Sequence, residues 1–241
     1  MKKITAILLM ALMVLSLTAC GNQTSKDNNG SDGSTEPTSV TITTLNGQKE
    51  QTQLEVPYNP ERIAILDLAA LDIIDSIGVG DKVVGMAQTS IGTIKEADIE
   101  AVMECEPDII FIGGRLSASY DKLSEIAPVV YLATDSSIGL VESTLKNATT
   151  IASIFGKENE VEDKVNQYND RINNLKNIAS GKNALVGMTT SGSFNILGND
   201  GRCSIIGNEI GFNNLGATGN TSTHGNEASF ETVVAKNPEY I

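Results

Sequence analysis

Tryptophan is absent from this 241-residue chain, histidine occurs once and cysteine three times. With His224 as the single histidine and no Cys-x-x-Cys pair, a dedicated zinc or manganese centre lacks its closely spaced donors. Basic residues are also scarce: 17 Lys plus Arg face 30 Asp plus Glu, a net charge of −13. None of the basic residues cluster, and a surface of this sign repels nucleic acid, so no nucleic-acid partner is expected. The signatures of common enzyme classes are missing too. There is no Gly-x-Ser-x-Gly elbow and no His-Glu-x-x-His helix, and Gly181-Lys182 lacks the upstream glycine of a phosphate loop. Carboxylates are plentiful, but no pair sits in a strongly apolar run that would make one a general acid. Enzyme chemistry and an intrinsic cofactor therefore find no support. No apolar run reaches the roughly 20 residues that span a bilayer.

The first twenty residues carry the clearest local signal. Lys2 and Lys3 precede an apolar run over residues 4–17, which closes on Leu17-Thr18-Ala19-Cys20. A charged start, a short apolar stretch and small residues before a cut site make a secretory signal. A cysteine directly after Leu-Thr-Ala resembles the lipobox of bacterial lipoproteins. That resemblance implies that Cys20 becomes the lipidated N-terminus, bearing acyl chains such as palmitate, on the extracytoplasmic face of the cell membrane. The plainer alternative is an ordinary signal with a chance cysteine. Residues 1–19 form the signal, and residues 20–39, polar and rich in Gly, Ser and Asn, form a flexible tether. Without the signal, 15 Lys plus Arg remain against 30 acids, a net charge of −15.

Residues 40–44 and 53–56 alternate as strands around the hairpin signal Asn46-Gly47. After Pro60, apolar strands at 62–66, 82–86, 108–112 and 129–132 alternate with helical spacing at 69–77, 99–106 and 120–126. That alternation predicts a parallel sheet covered on both faces. From Leu140 to Ala179 the pattern is helical, with a break near Gly156. Its second part sets Val161, Val165, Tyr168, Ile172, Leu175 and Ile178 on one stripe. At ~1.5 Å per residue it runs ~33 Å, enough to bridge two bodies. A strand at 184–188 then opens a second α/β unit. The domains are thus residues 40–156, an inter-lobe helix at 157–180, and residues 181–241.

One repeat supports two similar lobes. Ile99-Glu100 is followed after six residues by Pro107-Asp108-Ile109-Ile110, and Phe230-Glu231 after six residues by Pro238-Glu239-Tyr240-Ile241. The first copy runs on through Phe111-Ile112-Gly113-Gly114-Arg115, whereas the second stops at Ile241. The second lobe, and any binding site it shares, is therefore expected to be incomplete in this chain. Cys105 and Cys203 could pair, although Cys105, on a helical pattern before Pro107, also reads as a small buried thiol.

Several strings resemble a known family. Tyr58-Asn59-Pro60-Glu61-Arg62, Ala69-Ala70-Leu71-Asp72 and Gly78-Val79-Gly80-Asp81-Lys82-Val83-Val84-Gly85 resemble the first lobe of iron-siderophore substrate-binding lipoproteins of ABC importers. Gly113-Gly114-Arg115, Gly201-Arg202 and Thr223-His224-Gly225 resemble the catecholate branch, which includes petrobactin binders. The resemblance implies an α/β class III periplasmic-binding-protein fold: two Rossmann-like lobes joined by one long helix, with ligand in the cleft. It implies a monomeric, membrane-anchored binding protein that captures a ferric catecholate siderophore and delivers the iron to an importer's permease dimer. Arg115 and Arg202 would contact the anionic complex, and His224 would complete iron held by four siderophore oxygens. Glu100 and Glu231, one per lobe, would salt-bridge to permease arginines. A tyrosine ligand and a further arginine are implied beyond Ile241. Cys203 departs from the family, whose members often carry an aromatic residue there.

The chemistry is coherent. Arginine's planar fork stays charged and donates to phenolate oxygens. Arg115 follows a strand end, where open α/β sheets bind ligands. Neutral imidazole is an accepted iron ligand. Other readings stand beside these: Arg115 as a surface residue of a glycine turn, Arg202 as the partner of Asp200, and His224 as a solvated loop residue. Glu100 and Glu231 would equally complement helix dipoles. For the whole chain the alternatives are a cobalamin, haem or hydroxamate cargo on the same fold, or a surface lipoprotein without a transport role.

Overall fold

A computed structural model describes residues 36–135, 137–190, 192–217 and 221–241. Cys20, the signal at 1–19 and the tether as far as residue 35 lie outside the described residues. The chain divides into Met1–Glu36 and Pro37–Ile241, and the second unit carries the elements that follow.

Strands β1 (Ser39–Leu45) and β2 (Gln51–Pro57) form an antiparallel hairpin. Asn46 pins its turn, with Oδ1 accepting the N–H groups of Gln48 at 3.0 Å and Glu50 at 2.9 Å. Four short strands then build a parallel sheet: β3 (Ile63–Leu66), β4 (Val83–Met86), β5 (Ile109–Ile112) and β6 (Val129–Tyr131), in the order β4-β3-β5-β6. The intervening helices are α1 (Leu68–Ser76), α2 (Ile99–Glu104) and α3 (Tyr120–Ser124). The chain leaves the sheet through α4 (Leu140–Phe155) and α5 (Glu158–Ala179).

Every residue of β3, β5 and β6 is buried, as cover on both faces requires. The pleat sorts them. Ile63, Ile65, Ile109, Phe111 and Val130 join Ala70, Ile74, Ile151 and Phe155 in one core cluster. Ala64, Leu66, Ile110, Ile112, Val129 and Tyr131 join Val102 and Leu123 in the other. Each fully buried Ile or Phe contributes roughly 1.5–3 kcal/mol, so this alternation is the energetic basis of the sheet.

The break between α4 and α5 falls at Gly156, which takes φ 62° as the C-cap. A Cβ there would collide with the Tyr58 hydroxyl. The apolar stripe of α5 is buried only at its start. Val161 is 4% exposed and Val165 packs on the core, but Tyr168, Leu175 and Ile178 are 54%, 39% and 53% exposed. Periodicity marks a face; it does not say how far along the helix a neighbour extends.

Beyond α5 come β7 (Asn183–Ala184), β8 (Gly187–Thr190), β9 (Ser193–Ile196), α6 (Ile205–Asn208), β10 (Asn213–Asn214), β11 (Asn226–Ala228) and α7 (Phe230–Lys236). The single strand expected at 184–188 is instead two, β7 and β8, in different sheets. The backbone changes partner between them: the Leu185 N–H donates to Tyr240 O at 2.9 Å, and Val186 O accepts the Leu197 N–H at 2.9 Å. Strand β7 pairs in parallel with β10, while β9 pairs antiparallel with both β8 and β11.

The sequence repeat has a structural counterpart. Helices α2 and α7 are N-capped by Asp98 and Ser229, which accept the N–H groups of Ala101 at 3.0 Å and Thr232 at 3.2 Å. Glu106 and Asn237, each directly before the proline, both take φ 44°. The acid after each proline then holds a neighbouring backbone. Asp108 Oδ2 accepts the Glu61 and Arg62 N–H groups at 2.9 Å each, and Glu239 Oε2 accepts the Asn183 N–H at 2.7 Å.

Candidate functional site

Arg115 leaves β5 through Gly113-Gly114 in a 3-10 turn, Gly114–Ser119, and its side chain is exposed. Gly113 has a steric reason. A Cβ on Gly113 would collide with the Asp67 carboxylate. Asp67 Oδ1 caps α1 by accepting the Ala70 N–H at 2.9 Å. A Cβ on Gly114 would sit 3.4 Å from the Tyr131 hydroxyl. Burial raises the Tyr131 phenol above its ordinary value. The C-terminal ends of β3, β5 and β6 thus converge, at the edge where open α/β sheets bind ligands.

Arg202 and His224 come from two loops of the second sheet. Strand β9 runs out into residues 197–204, and β11 begins just after the turn at 222–225. Because the strands pair antiparallel, with Asn226 opposite Ile196, both loops lie at one edge of the sheet. Gly225 closes the turn at φ 79°, and a Cβ there would stand 2.8 Å from Ile196 O. Its N–H donates to Ser222 O at 2.9 Å, and the Ser222 hydroxyl donates to Gly225 O. Both Arg202 and His224 are exposed. Arg115 lies on the first sheet, with no hydrogen bond to either among the described residues. Neither arginine enters an ion pair among the described residues, where the pairs are Lys82–Glu61 and Lys157–Glu160.

Two features of the second edge had no signal in the sequence. Asn214, 5% exposed, donates through Nδ2 to Leu197 O at 3.0 Å and to Asn199 Oδ1 at 2.9 Å, and Asn208 donates to Asn199 O at 3.0 Å. These asparagines belong to no motif and are ordinary in a polar loop. Asp200, moreover, pairs with Thr221 and not with Arg202.

Glu100 and Glu231 are the second residues of α2 and α7, and both are exposed. The Glu231 carboxyl lies below its ordinary range, held by its own N–H and then by the Ser229 hydroxyl. Cys105 and Cys203 are free thiols. Cys105 is half-buried and donates to Val84 O at 3.5 Å, while Cys203 is exposed. Among the described residues no three His, Cys, Asp or Glu side chains come together to hold a metal, and no helix is long and apolar enough to cross a membrane.

Residues 63–241 match the family model for periplasmic binding proteins. The chain belongs to the periplasmic binding protein family. This binding protein is 31% identical over 258 residues to petrobactin-binding protein YclQ of Bacillus subtilis, covering 100% of its own length and 79% of YclQ. It is 29% identical over 211 residues to the Fe(3+)-citrate-binding protein YfmC of the same organism, covering 78% of its own length and 65% of YfmC. The crystal structure of YclQ superposes with a TM-score of 0.73 at 32% identity, over 83% of this chain and 76% of that one. The catecholate-siderophore binding protein VctP of Vibrio cholerae superposes with a TM-score of 0.73 at 27% identity, over the same 83% and 76%. The fold is thus the class III arrangement expected, and the chain is a substrate-binding protein and not an enzyme.

Proposed function

We propose that this binding protein captures a ferric catecholate siderophore and delivers it to the permease of an ABC importer, tethered through Cys20 to the extracytoplasmic face of the membrane. The observation that carries the reading is the meeting of the Arg202 and His224 loops at one edge of the β8-β9-β11 sheet. A cation with no ion pair among the described residues and an imidazole, carried on loops at one edge of the sheet, suit a complex that carries negative phenolates around a hard metal ion. In this reading Arg115 contributes a second cation from the first lobe, residues 40–156. Residues 157–180 join it to the second lobe, residues 181–241, and the protein acts as a monomer. A second reading, ferric citrate as cargo, is favoured by the 29% identity to YfmC.

With no tryptophan, binding is best followed through the visible absorption of the iron complex. Arg115→Ala and Arg202→Ala should each lower affinity ten- to hundredfold, which is about 1.5–3 kcal/mol for a charge-assisted contact. His224→Ala should weaken complexes with four oxygen donors far more than those with six, which leave iron no open position. Equal losses for both classes would remove the histidine from the iron. Unchanged affinity in both arginine variants, or tighter binding of ferric citrate than of any catecholate, would overturn the catecholate reading.

The anchor has its own test. Two acyl chains on Cys20, at about 0.8 kcal/mol per buried CH₂, give stable attachment. Cys20→Ala should release the protein from the membrane fraction of an expressing cell, and a mutant that stays bound as fully as wild type would leave the cysteine unmodified.

A further inference from the structure

Asp200 and Thr221 lie 21 residues apart and join the two loops of the second edge. Asp200 stands two positions before Arg202, and Thr221 three before His224. Asp200 Oδ2 accepts the Thr221 N–H at 3.1 Å, and Oδ1 accepts the Thr221 hydroxyl. The surroundings fit this tie closely. A Cβ on Gly198 would lie 2.7 Å from Asp200 Oδ1 and 3.1 Å from both Oγ1 and Cγ2 of Thr221. On the other side of Asp200's backbone, Asn199 is held by Asn214 and Asn208, so the stem of the loop is fixed as well.

A ligand contact carried on a surface loop is only as good as the support that holds the loop. We propose that Asp200 is a positioning residue of the second-lobe ligand face: through Thr221 it ties the Arg202 loop to the His224 turn, so that guanidinium and imidazole meet the ferric complex as one unit. The inference rests on the reading of Arg202 and His224 as cargo contacts. It also accounts for an acid beside an arginine on a face built for an anion. Both carboxylate oxygens are engaged by Thr221, which leaves the charge of Arg202 available to the cargo.

Three variants separate positioning from folding. Asp200→Ala removes both hydrogen bonds, Thr221→Val removes the hydroxyl bond and keeps the N–H, and Asp200→Asn keeps an acceptor while offering an amide donor to the hydroxyl oxygen. The probes are the ferric complexes of a synthetic bis-catecholate, with four oxygen donors, and a tris-catecholate, with six, titrated into the protein. Asp200→Ala should lose bis-catecholate affinity on the order of tenfold, with a smaller loss for the tris-catecholate. Thr221→Val should lose part of this, and Asp200→Asn should restore most of it. In the Asp200→Ala background, His224→Ala should add little, because the imidazole is already displaced. Without ligand, amide hydrogen exchange should quicken in both loops in Asp200→Ala and in neither in Asp200→Asn.

Fully additive losses, an asparagine variant as damaged as alanine, or exchange that quickens in one loop alone would overturn the tie. Failure of the cargo reading shows separately: Arg202→Ala and His224→Ala, with Asp200 intact, would then leave affinity unchanged.

Discussion

A carboxylate that accepts two hydrogen bonds from one residue is more acidic than a free one. The Thr221 hydroxyl, and after it the Thr221 N–H, hold Asp200 below the ordinary value of 3.8. Asp135 is lowered in the same way by the Ser137 hydroxyl. Since the folded-state pKa is depressed, the stabilisation from Asp200 is fully present above pH 3.8 and is lost as the pH falls through the lower folded value. Thermal midpoints across the acidic range should therefore fall less steeply in Asp200→Asn than in wild type. Parallel slopes would mean that the hydrogen bonds are not kept in solution. Arg202 was legible as a residue type suited to an anion, but the partner of Asp200 was not. An arginine two positions away is as natural a partner as a threonine 21 away, and only the pairing of β9 with β11 brings the threonine closer.

Helix α4 shows the same limit for elements. Its N-cap is Gly139, which has no side chain to offer the first turn. Glu209, just past α6, supplies it instead, with Oε1 accepting the Leu140 N–H at 2.6 Å. A carboxylate at a helix N-terminus also complements the helix dipole. Glu209→Ala should cost about 0.5–2 kcal/mol, the usual range for a lost cap, and Glu209→Gln distinctly less, because the acceptor remains. Urea midpoints would measure both, and an alanine variant as stable as wild type would mean that water caps the helix equally well. The helix pattern from Leu140 and its stop at Gly156 were readable, because spacing and glycine are local properties. The carboxylate that accepts there, 69 residues downstream, was not.

In the molecule as a whole, Glu100 and Glu231 stand at matched places, the second positions of two side-chain-capped helices that run into proline-led segments. In the proposed delivery to a two-fold permease, matched charges on both lobes would register the partner, since exposed rim charges mainly steer and register. Replacing both with alanine should leave siderophore affinity unchanged and impair uptake of iron-loaded siderophore by cells. Normal uptake in that double variant would leave the two acids with their helix-dipole role alone.

The parallel sheet, its alternating helices and the long α5 follow from local information. Runs such as Ile109–Ile112 have no polar face to present to water, so burial on both sides is their only stable state. The Gly-Gly-Arg string likewise marks a close approach, which the Asp67 carboxylate against Gly113 explains. Tertiary structure alone decided the rest: where the run at 184–188 changes sheets, how much of the α5 stripe is covered, and which loops stand beside which at the second edge. Each depends on a partner distant in sequence, and a hydrogen bond or an apolar contact carries no mark in one strand that names the other.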